Sequence, residues 1–327
     1  EMLQGELTLV EVIEGDVIVN GDVNVVEPNL TAANGVIHGI DQVLLPTEYR
    51  VQLKGPSIVE VAEDAGNFTT LLNLAEIAGL TTTLKFKGPF TVFPPTDAAF
   101  AELGEQIDLG TVTSNPKLVA SILLYHTLPG EVLSTDLGSQ QAVPSASEET
   151  LYIEADDNGV MVNGSATVTA ADVSAPVNGV LHIVDQVLLP NSLQTIAGIV
   201  EKNYNLETLS NLVAERPDIL NLLSSTESEY TLFAPTNEAV ENALAAFPGL
   251  TDEQITEILT YHVLGTKVLS TDLSDGQTAE TLQGEQIEAS ITDDGVQINS
   301  SNVVTVDFEG LNGVVHIIDQ VLVPPSY

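Results

Sequence analysis

A thirteen-residue stretch, Asn-Gly-Val-x-His-x-x-Asp-Gln-Val-Leu-x-Pro, occurs three times, at residues 34–46, 178–190 and 312–324. Its histidines, His38, His182 and His316, stand 144 and 134 residues apart. That period is too long for a solenoid repeat and implies tandem domains. Each copy reads as an Asn-Gly turn followed by one long strand that proline ends. In the second copy Val180, His182 and Val184 fall on one face, and Leu181, Ile183 and Asp185 on the other. Both faces are largely apolar, so the strand is expected at the centre of a sheet with cover on both sides. Asn178, Gly179, His182 and Asp185, with Asn312, Gly313, His316 and Asp319, are expected to be structural residues of this motif, the glycine because the turn needs it.

The chain has 327 residues, room for two full domains and a remainder. Hydrophobic residues make up 43%, enough to build cores. Acidic residues number 47 against 8 basic ones, a formal net charge of −39. Such a surface repels the phosphates of nucleic acid and of anionic lipid, so neither is an expected partner. It suits saline surroundings, where ~0.15 M salt shortens the reach of repulsion to ~8 Å. Self-repulsion opposes compaction, so salt is predicted to stabilise the fold. The melting temperature should rise between ~10 mM and ~1 M NaCl, as the Debye length falls from ~30 to ~3 Å. A flat or falling curve refutes this, and a parallel series in sulfate separates screening from preferential exclusion. There is no cysteine, so disulfides, thiolate metal sites and cysteine nucleophiles are excluded. No apolar run reaches the ~18 residues of a membrane-spanning helix, so no direct membrane insertion is expected.

Residues 1–46 alternate short apolar runs, Leu7-Thr8-Leu9-Val10, Val17-Ile18-Val19 and Val23-Asn24-Val25, with turns at Gly15-Asp16 and Asn20-Gly21-Asp22. Residues 47–56, with Arg50, Lys54, Gly55 and Pro56, read as a linker. Asn67 then caps a helix that puts Phe68, Leu71, Leu72, Ala75 and Ala78 on one face, and Gly79 closes it. Phe90-Thr91-Val92-Phe93 reads as a short buried strand stopped by proline, with Thr96 or Asp97 capping the next helix. Asn115 and Pro116 open a further helix with Leu118, Ile122 and Tyr125 inward. Its later counterpart opens with a capping box from Thr251 to Gln254. Strands follow at 150–155, 160–162 and 166–170, with hairpin turns at 157–159 and 293–295. Each complete unit is a helical half followed by a strand-rich half, the order of an α+β fold. The expected domains are residues 1–50, half a unit, and residues 51–190 and 191–327, each complete.

Thr91-Val92-Phe93-Pro94-Pro95-Thr96-Asp97-Ala98-Ala99-Phe100 is followed by Leu124-Tyr125-His126-Thr127-Leu128-Pro129-Gly130 and then by the Asn-Gly stretch. The last unit repeats all three, in the same order, at 231–240, 260–265 and 312–324. These motifs resemble those of the fasciclin (FAS1) domain family, and the resemblance covers nearly the whole chain. It implies tandem fasciclin domains, each a seven-stranded β-sandwich or wedge with packed helices. It implies adhesion or matrix work at the cell surface or after secretion, with other proteins or surface polymers as partners, and no catalysis. Pro94 stands where the family has alanine, and Gly265 lacks the preceding proline. Both departures bear on loop shape rather than on the fold. In some animal members the Tyr-His pair is the proposed receptor-binding spot, which marks Tyr125, His126, Tyr261 and His262. Some members hold carotenoids, which makes an apolar small molecule in a helix–sheet crevice the alternative function. The absence of Trp and the 5% aromatic content weigh against that alternative.

All five histidines lie in these motifs. Buried, hydrogen-bonded imidazoles account for the pattern without a metal, because neutral histidine needs one donor and one acceptor partner. No metal or other cofactor is expected. Tyr125 continues the apolar stripe of its helix and is expected to plug the core. There is no Gly-x-Ser-x-Gly elbow, no glycine-rich phosphate loop and no basic patch. Asp156, Asp157 and Asn158, like Asp293 and Asp294, offer oxygens to calcium, but without EF-hand spacing, and β-turn chemistry accounts for them. Leu3-Gln4-Gly5-Glu6 aligns with Leu282-Gln283-Gly284-Glu285, so residues 1–46 are expected to start in the middle of a unit. The other half of that unit corresponds to residues 191–281. Strands without it expose an apolar face and open edges. The cover is expected either from a longer chain or from a neighbouring molecule, by self-association through residues 1–46 into a fibre or surface assembly.

Overall fold

The computed structural model describes residues 8–13, 15–20, 23–46, 55–292 and 295–327. The alignment at residues 3–6, the turn at Gly21-Asp22, Arg50 and Lys54 of the linker, and Asp293-Asp294 lie outside the described residues. The chain forms two compact units, Glu1–Leu188 and Leu189–Tyr327.

The first unit opens with four antiparallel strands in sequence order: β1 (Val10–Ile13), β2 (Asp16–Val19), β3 (Val23–Ala32) and β4 (Gly35–Ile40). Then come helices α1 (Ile58–Ala65), α2 (Thr69–Ile77) and α3 (Thr81–Phe86), and strand β5 (Phe90–Val92). Helices α4 (Asp97–Gln106), α5 (Leu109–Thr113) and α6 (Pro116–Tyr125) lead to strands β6 (Thr127–Pro129), β7 (Gln140–Pro144), β8 (Thr150–Asp156), β9 (Gly159–Val162), β10 (Ala166–Ala175) and β11 (Gly179–Val184). The second unit holds α7 (Ile196–Glu201), α8 (Glu207–Ala214), α9 (Pro217–Ser224), β12 (Tyr230–Pro235), α10 (Asn237–Ala246) and α11 (Asp252–Tyr261). It ends with β13 (Val263–Leu264), β14 (Gln277–Glu280), β15 (Gln286–Thr292), β16 (Gly295–Ile298), β17 (Ser301–Gly310) and β18 (Gly313–Ile318).

Each unit has a seven-stranded sheet of one topology, β6-β5-β11-β10-β9-β8-β7 and β13-β12-β18-β17-β16-β15-β14. The repeated stretch supplies the central strand, as its two apolar faces require. β11 lies parallel to β5 and antiparallel to β10, and β18 stands likewise between β12 and β17. The sheet ends meet: Ala146 N–H donates to Thr127 O at 2.7 Å, and Leu282 N–H to Val263 O at 2.8 Å. Each sheet thus nearly closes around a core, with Phe93, Tyr125, Leu151 and Val184 in the first unit and Phe233, Tyr261, Ile287 and Ile318 in the second. A second apolar layer lies under the helices, where Ile196, Leu209, Leu223 and Val315 pack together.

Local chemistry starts most helices. Ser57 and Glu60 form a capping box at α1, and Thr96, Asn115 with Pro116, and Thr251 with Gln254 open α4, α6 and α11. On α6 it is Val119 that is buried, while Leu118 is half-buried. α2 departs from expectation, for Asn67 does not cap it. Its first N–H groups go instead to Asp97, at the start of α4: Thr69 N at 3.1 Å and Thr70 N at 2.7 Å. Burial works against the charge of Asp97, but these donors and the Thr69 hydroxyl prevail and hold its pKa at about 2. In the second unit Asn237 Oδ1 accepts from Thr208 N–H at 2.9 Å and does the same work.

The Asn-Gly pair is not the centre of its turn. Ala175 pairs with Gly179 around Pro176-Val177-Asn178, and Gly310 with Gly313 around Leu311-Asn312, so glycine is the first strand residue. A β-carbon on Gly179 would lie 1.9 Å from Phe90 O, and one on Gly313 1.9 Å from Tyr230 O. The parallel neighbour strand, rather than the turn, demands glycine.

Candidate functional site

α6 and α11 each end in a Tyr-His pair. Tyr125 is 0% exposed and His126 1%. The Tyr125 hydroxyl donates to Thr150 O at 3.0 Å and accepts from Asn163 Nδ2 at 2.9 Å. Asn163, held at φ 53°, takes Tyr152 N–H on its Oδ1 at 3.0 Å. Burial raises the Tyr125 pKa far above its ordinary value. His126 donates from Nδ1 to Ile122 O at 2.7 Å and accepts Leu188 N–H on Nε2 at 2.8 Å. Burial lowers its pKa to about 4, so the ring is neutral at pH 7. The second unit repeats this: Tyr261 bonds Gln286 O at 2.9 Å and Asn299 at 3.1 Å, and His262 bonds Ile258 O at 2.7 Å and Leu322 N–H at 2.8 Å. Burial brings His262 to about 4 as well.

Each node therefore ties the end of a helix to the segment after the central strand. Its side chains offer no surface. What they hold at the surface are neighbours such as Pro129, Glu131, Gly265 and Thr266, all exposed. Tyr125→Phe leaves Asn163 Nδ2 and Thr150 O unpaired, and is expected to cost about 1–3 kcal/mol in urea unfolding. An unchanged midpoint would show the hydroxyl to be idle.

The histidines of the repeated stretch use the other tautomer. His182 Nδ1 accepts Asp172 N–H at 3.2 Å, so Nε2 carries the proton and donates to Val132 O at 2.9 Å. His316 does the same with Asp307 N–H at 3.2 Å and Val268 O at 2.9 Å. Burial lowers the His316 pKa. The rings lie 5.4 and 5.6 Å from those of Phe93 and Phe233. Asp185 accepts Thr167 N–H at 2.7 Å, and Asp319 accepts from Asn302 N at 2.8 Å and Asn302 Nδ2 at 2.6 Å. These aspartates sew the end of the central strand to its neighbour.

Asn178 reaches furthest. Its Oδ1 accepts Ile58 N–H at 2.9 Å, at the start of α1, and its Nδ2 donates to Leu84 O at 2.6 Å and Lys87 O at 2.9 Å, at the end of α3. Asn312 does so with Ile196 N–H at 2.8 Å, Leu223 O at 2.9 Å and Ser225 O at 2.8 Å. One amide thus clamps the helical half to the strand half.

None of this arrangement is a nucleophile. Ser134 Oγ and Ser270 Oγ donate to Asp172 and Asp307, whereas the adjacent imidazoles give their proton to backbone carbonyls. A serine nucleophile of the Ser-His-Asp kind needs the imidazole itself as its partner. The Asp156 carboxylate is taken by Asn158 N–H at 2.8 Å and Nδ2 at 2.9 Å, as an Asx turn. Among the described residues no group of three or more His, Asp or Glu converges to hold a metal ion.

The chain matches the fasciclin domain over residues 1–46, 66–190 and 204–324 and belongs to the fasciclin domain family. Periostin from Homo sapiens is 29% identical over 303 residues, which cover 92% of this chain and 34% of periostin. Transforming growth factor-beta-induced protein ig-h3 from Sus scrofa is 30% identical over 282 residues, 83% of this chain and 40% of that protein. The chain thus spans between a third and two fifths of the length of these relatives. Among solved structures, a FAS1 domain pair from the insect cell adhesion molecule fasciclin I is similar at a TM-score of 0.54 and 20% identity, over 82% of this chain and 96% of that one. The fold is a tandem pair of fasciclin domains, α+β, each with its seven-stranded sheet.

Proposed function

We propose that this chain is an adhesive or matrix module, secreted or held at the cell surface, that binds other proteins or surface polymers and performs no chemistry of its own. One observation carries the reading: the side chains that chemistry would use are spent on the fold. His126, His182, His262 and His316 have both ring nitrogens bonded to backbone groups. Partner contact is assigned to the exposed loops held by Tyr125-His126 and Tyr261-His262, not to those buried rings. Antibody against the chain should label intact, unpermeabilised cells or the medium around them. Labelling confined to the cytosol sinks the reading.

The finer part of the proposal is that residues 1–46 add self-association, making the chain a subunit of a fibre or surface assembly. Val10, Val12, Ile13, Val26, Val36 and Ile37 are exposed on β1, β3 and β4. Such a face with open edges seeks cover. Deleting residues 1–46 is predicted to leave a soluble monomer at concentrations where the full chain associates, as read by sedimentation. Equal association of both forms excludes the role.

A second reading, a binder of an apolar small molecule, has one observation in its favour. Between α1–α3 and the sheet lies a crevice lined by Val59, Ala62, Leu72, Ala75, Val92 and Leu181, and by Thr81, whose buried hydroxyl has no hydrogen-bond partner among the described residues. The crevice is narrow, about 30 Å³, so a ligand must part the helices. Solvent extraction of the purified protein that yields no apolar compound dismisses this reading.

A further inference from the structure

The two complete units follow one plan, so a place where they differ shows what one of them lacks. α4 and α10 have ten residues each, and so do α6 and α11. The link between them runs over 107–115 in the first unit but only over 247–251 in the second. The longer link folds into α5, which Asp108 starts by accepting Gly110 N–H at 2.9 Å. The shorter one turns at Gly249, held at φ 91°, and forms no helix.

α5 covers an apolar groove. Its Leu109 and Val112 line one gap with Phe100 and Leu103 of α4 and with Val119 and Ile122 of α6. Val119 and Ile122 are 1% and 4% exposed. The second unit has the same groove between α8, α10 and α11. Val240 stands there for Phe100 and Ala243 for Leu103, both smaller side chains. Ile255 and Ile258, which replace Val119 and Ile122, are only half-buried. Leu244 and Leu250 return part of the cover. Leu244 takes the place of Gly104, where a β-carbon would lie 3.1 Å from Leu109 of α5. Even so, Leu244 and Phe247, one turn apart on the rim, remain 40% exposed each.

Two kinds of occupant fit this groove poorly. Its free space is about 40 Å³, room for the tip of one side chain, so a small apolar molecule must part the helices. A second copy of this chain brings a formal charge of −39 to a face already acidic. α10 and α11 carry Glu238, Glu241, Asp252, Glu253 and Glu257, and neither lysine nor arginine. A helical turn laid over the rim needs only the space for a tip, and α5 shows that the seat accepts one.

We infer that the groove between α10 and α11 docks a short amphipathic helix of a partner protein, with an apolar residue in the place of Val112 and lysine or arginine on the turns beside it. The apolar residue fills the gap, and its helix covers Leu244 and Phe247, as in other cases where a helix lies in a groove. The cations meet the carboxylates of α10 and α11, which steers the encounter and makes it depend on salt. In the first unit α5 holds the seat, so that unit takes no such partner here. The inference deepens the reading of the chain as a protein binder and rests on it only in taking the occupant to be a protein. It assigns contact to a helical face, apart from the loops at Gly265 and Thr266.

The probe is a synthetic peptide of residues 107–115 with two lysines added at each end, titrated into the full chain and followed by amide resonances in NMR. Saturable shifts are expected at Leu244, Phe247, Ile255 and Ile258 and not at Val119 and Ile122. Affinity should fall about tenfold or more between ~10 mM and ~1 M NaCl. The same peptide with glutamates in place of the added lysines should not bind. Val240→Phe with Ala243→Leu restores the side chains of the first unit and should abolish binding at an unchanged or higher melting temperature. Where that pair lowers the melting temperature, Phe247→Ser decides, because its side chain lies outside the buried core, and it should weaken binding about tenfold. Absence of saturable shifts overturns the inference, and so does undiminished binding by Phe247→Ser or by the folded double variant. Binding of n-octanol at these residues where the peptide fails overturns it in favour of a small molecule. A dimer in sedimentation that Phe247→Ser dissolves overturns it in favour of a second copy. None of these results alters the labelling of intact cells, which judges the wider reading separately.

Discussion

Gly179→Val is expected to unfold the first complete unit outright. Its β-carbon would lie 1.9 Å from Phe90 O and 2.9 Å from Phe90 N, both backbone atoms that no side-chain rotation can clear. The residue also sits at φ 148°, where a β-branched side chain is strained. Relief requires β5 to leave β11, which breaks the parallel pairing of Gly179, Val180 and Leu181 with Phe90, Thr91 and Val92 at the centre of the sheet. The cost should fall in the exceptional range, above about 4–5 kcal/mol. His182→Gln should cost less, about 1–3 kcal/mol, because it sacrifices one hydrogen bond of a buried pair and keeps a polar group in place. Gly313→Val should do to the second unit what Gly179→Val does to the first, since Tyr230 O stands at the same 1.9 Å. Comparable urea midpoints for Gly179→Val and His182→Gln would contradict the ranking and the close approach on which it rests.

The same glycine shows where sequence reading succeeds and where it stops. That the repeated stretch holds a central strand was legible, because apolar residues occupy both of its faces, but proline does not end it: the strand stops at Val184 and Ile318, ahead of Asp185 and Asp319, whose carboxylates bond the neighbouring strand instead. That glycine is needed at its start was legible too, but the turn suggested the wrong cause. The cause is Phe90, which lies 89 positions earlier in the chain, and no local pattern encodes it. Helix starts divide in the same way. Thr96, Asn115 and Thr251 cap the helices that follow them and were readable from spacing. Asp97 caps a helix 28 residues earlier, and Asn178 bonds the first turn of α1 from 120 residues away. The Tyr-His pairs stood out as motifs, and their burial agrees with the apolar stripe that Tyr125 continues. Their surface meaning was not legible, because a motif marks a residue as needed without saying whether solvent reaches it.

Mild acid should destabilise both complete units well before their carboxylates titrate. His126 and His262 are neutral and buried, with pKa values of about 4 against an ordinary ~6.5. The unfolded chain therefore binds these protons more readily than the folded one. Their contribution is fully present above pH ~6.5 and is lost as pH falls through that value towards 4. At ~1.4 kcal/mol per unit of pKa, each histidine removes about 2 kcal/mol by pH 5 and about 3 kcal/mol by pH 4. His316, lowered by burial, adds to the loss in the second unit. The carboxylates pull in two directions, but later. Asp97, Asp172 and Asp319 have lowered pKa values, so their stabilisation disappears only below the ordinary carboxylate range of ~4, and it is small because these groups are largely solvated. Protonating the many other acids relieves the self-repulsion of the −39 surface, but again mostly near pH 4. Between pH 6.5 and 5 the histidines therefore act almost alone. In ~1 M NaCl, which screens surface charge to ~3 Å, the urea midpoints should fall between pH 7 and pH 5. His126→Gln should weaken the first unit at pH 7, by loss of one backbone bond, yet flatten its dependence on pH over that window. Equal midpoints at pH 7 and pH 5 for the unaltered chain would mean that the Leu188 and Leu322 amides release their histidines without cost, and that the nodes do not hold the two halves of each domain together.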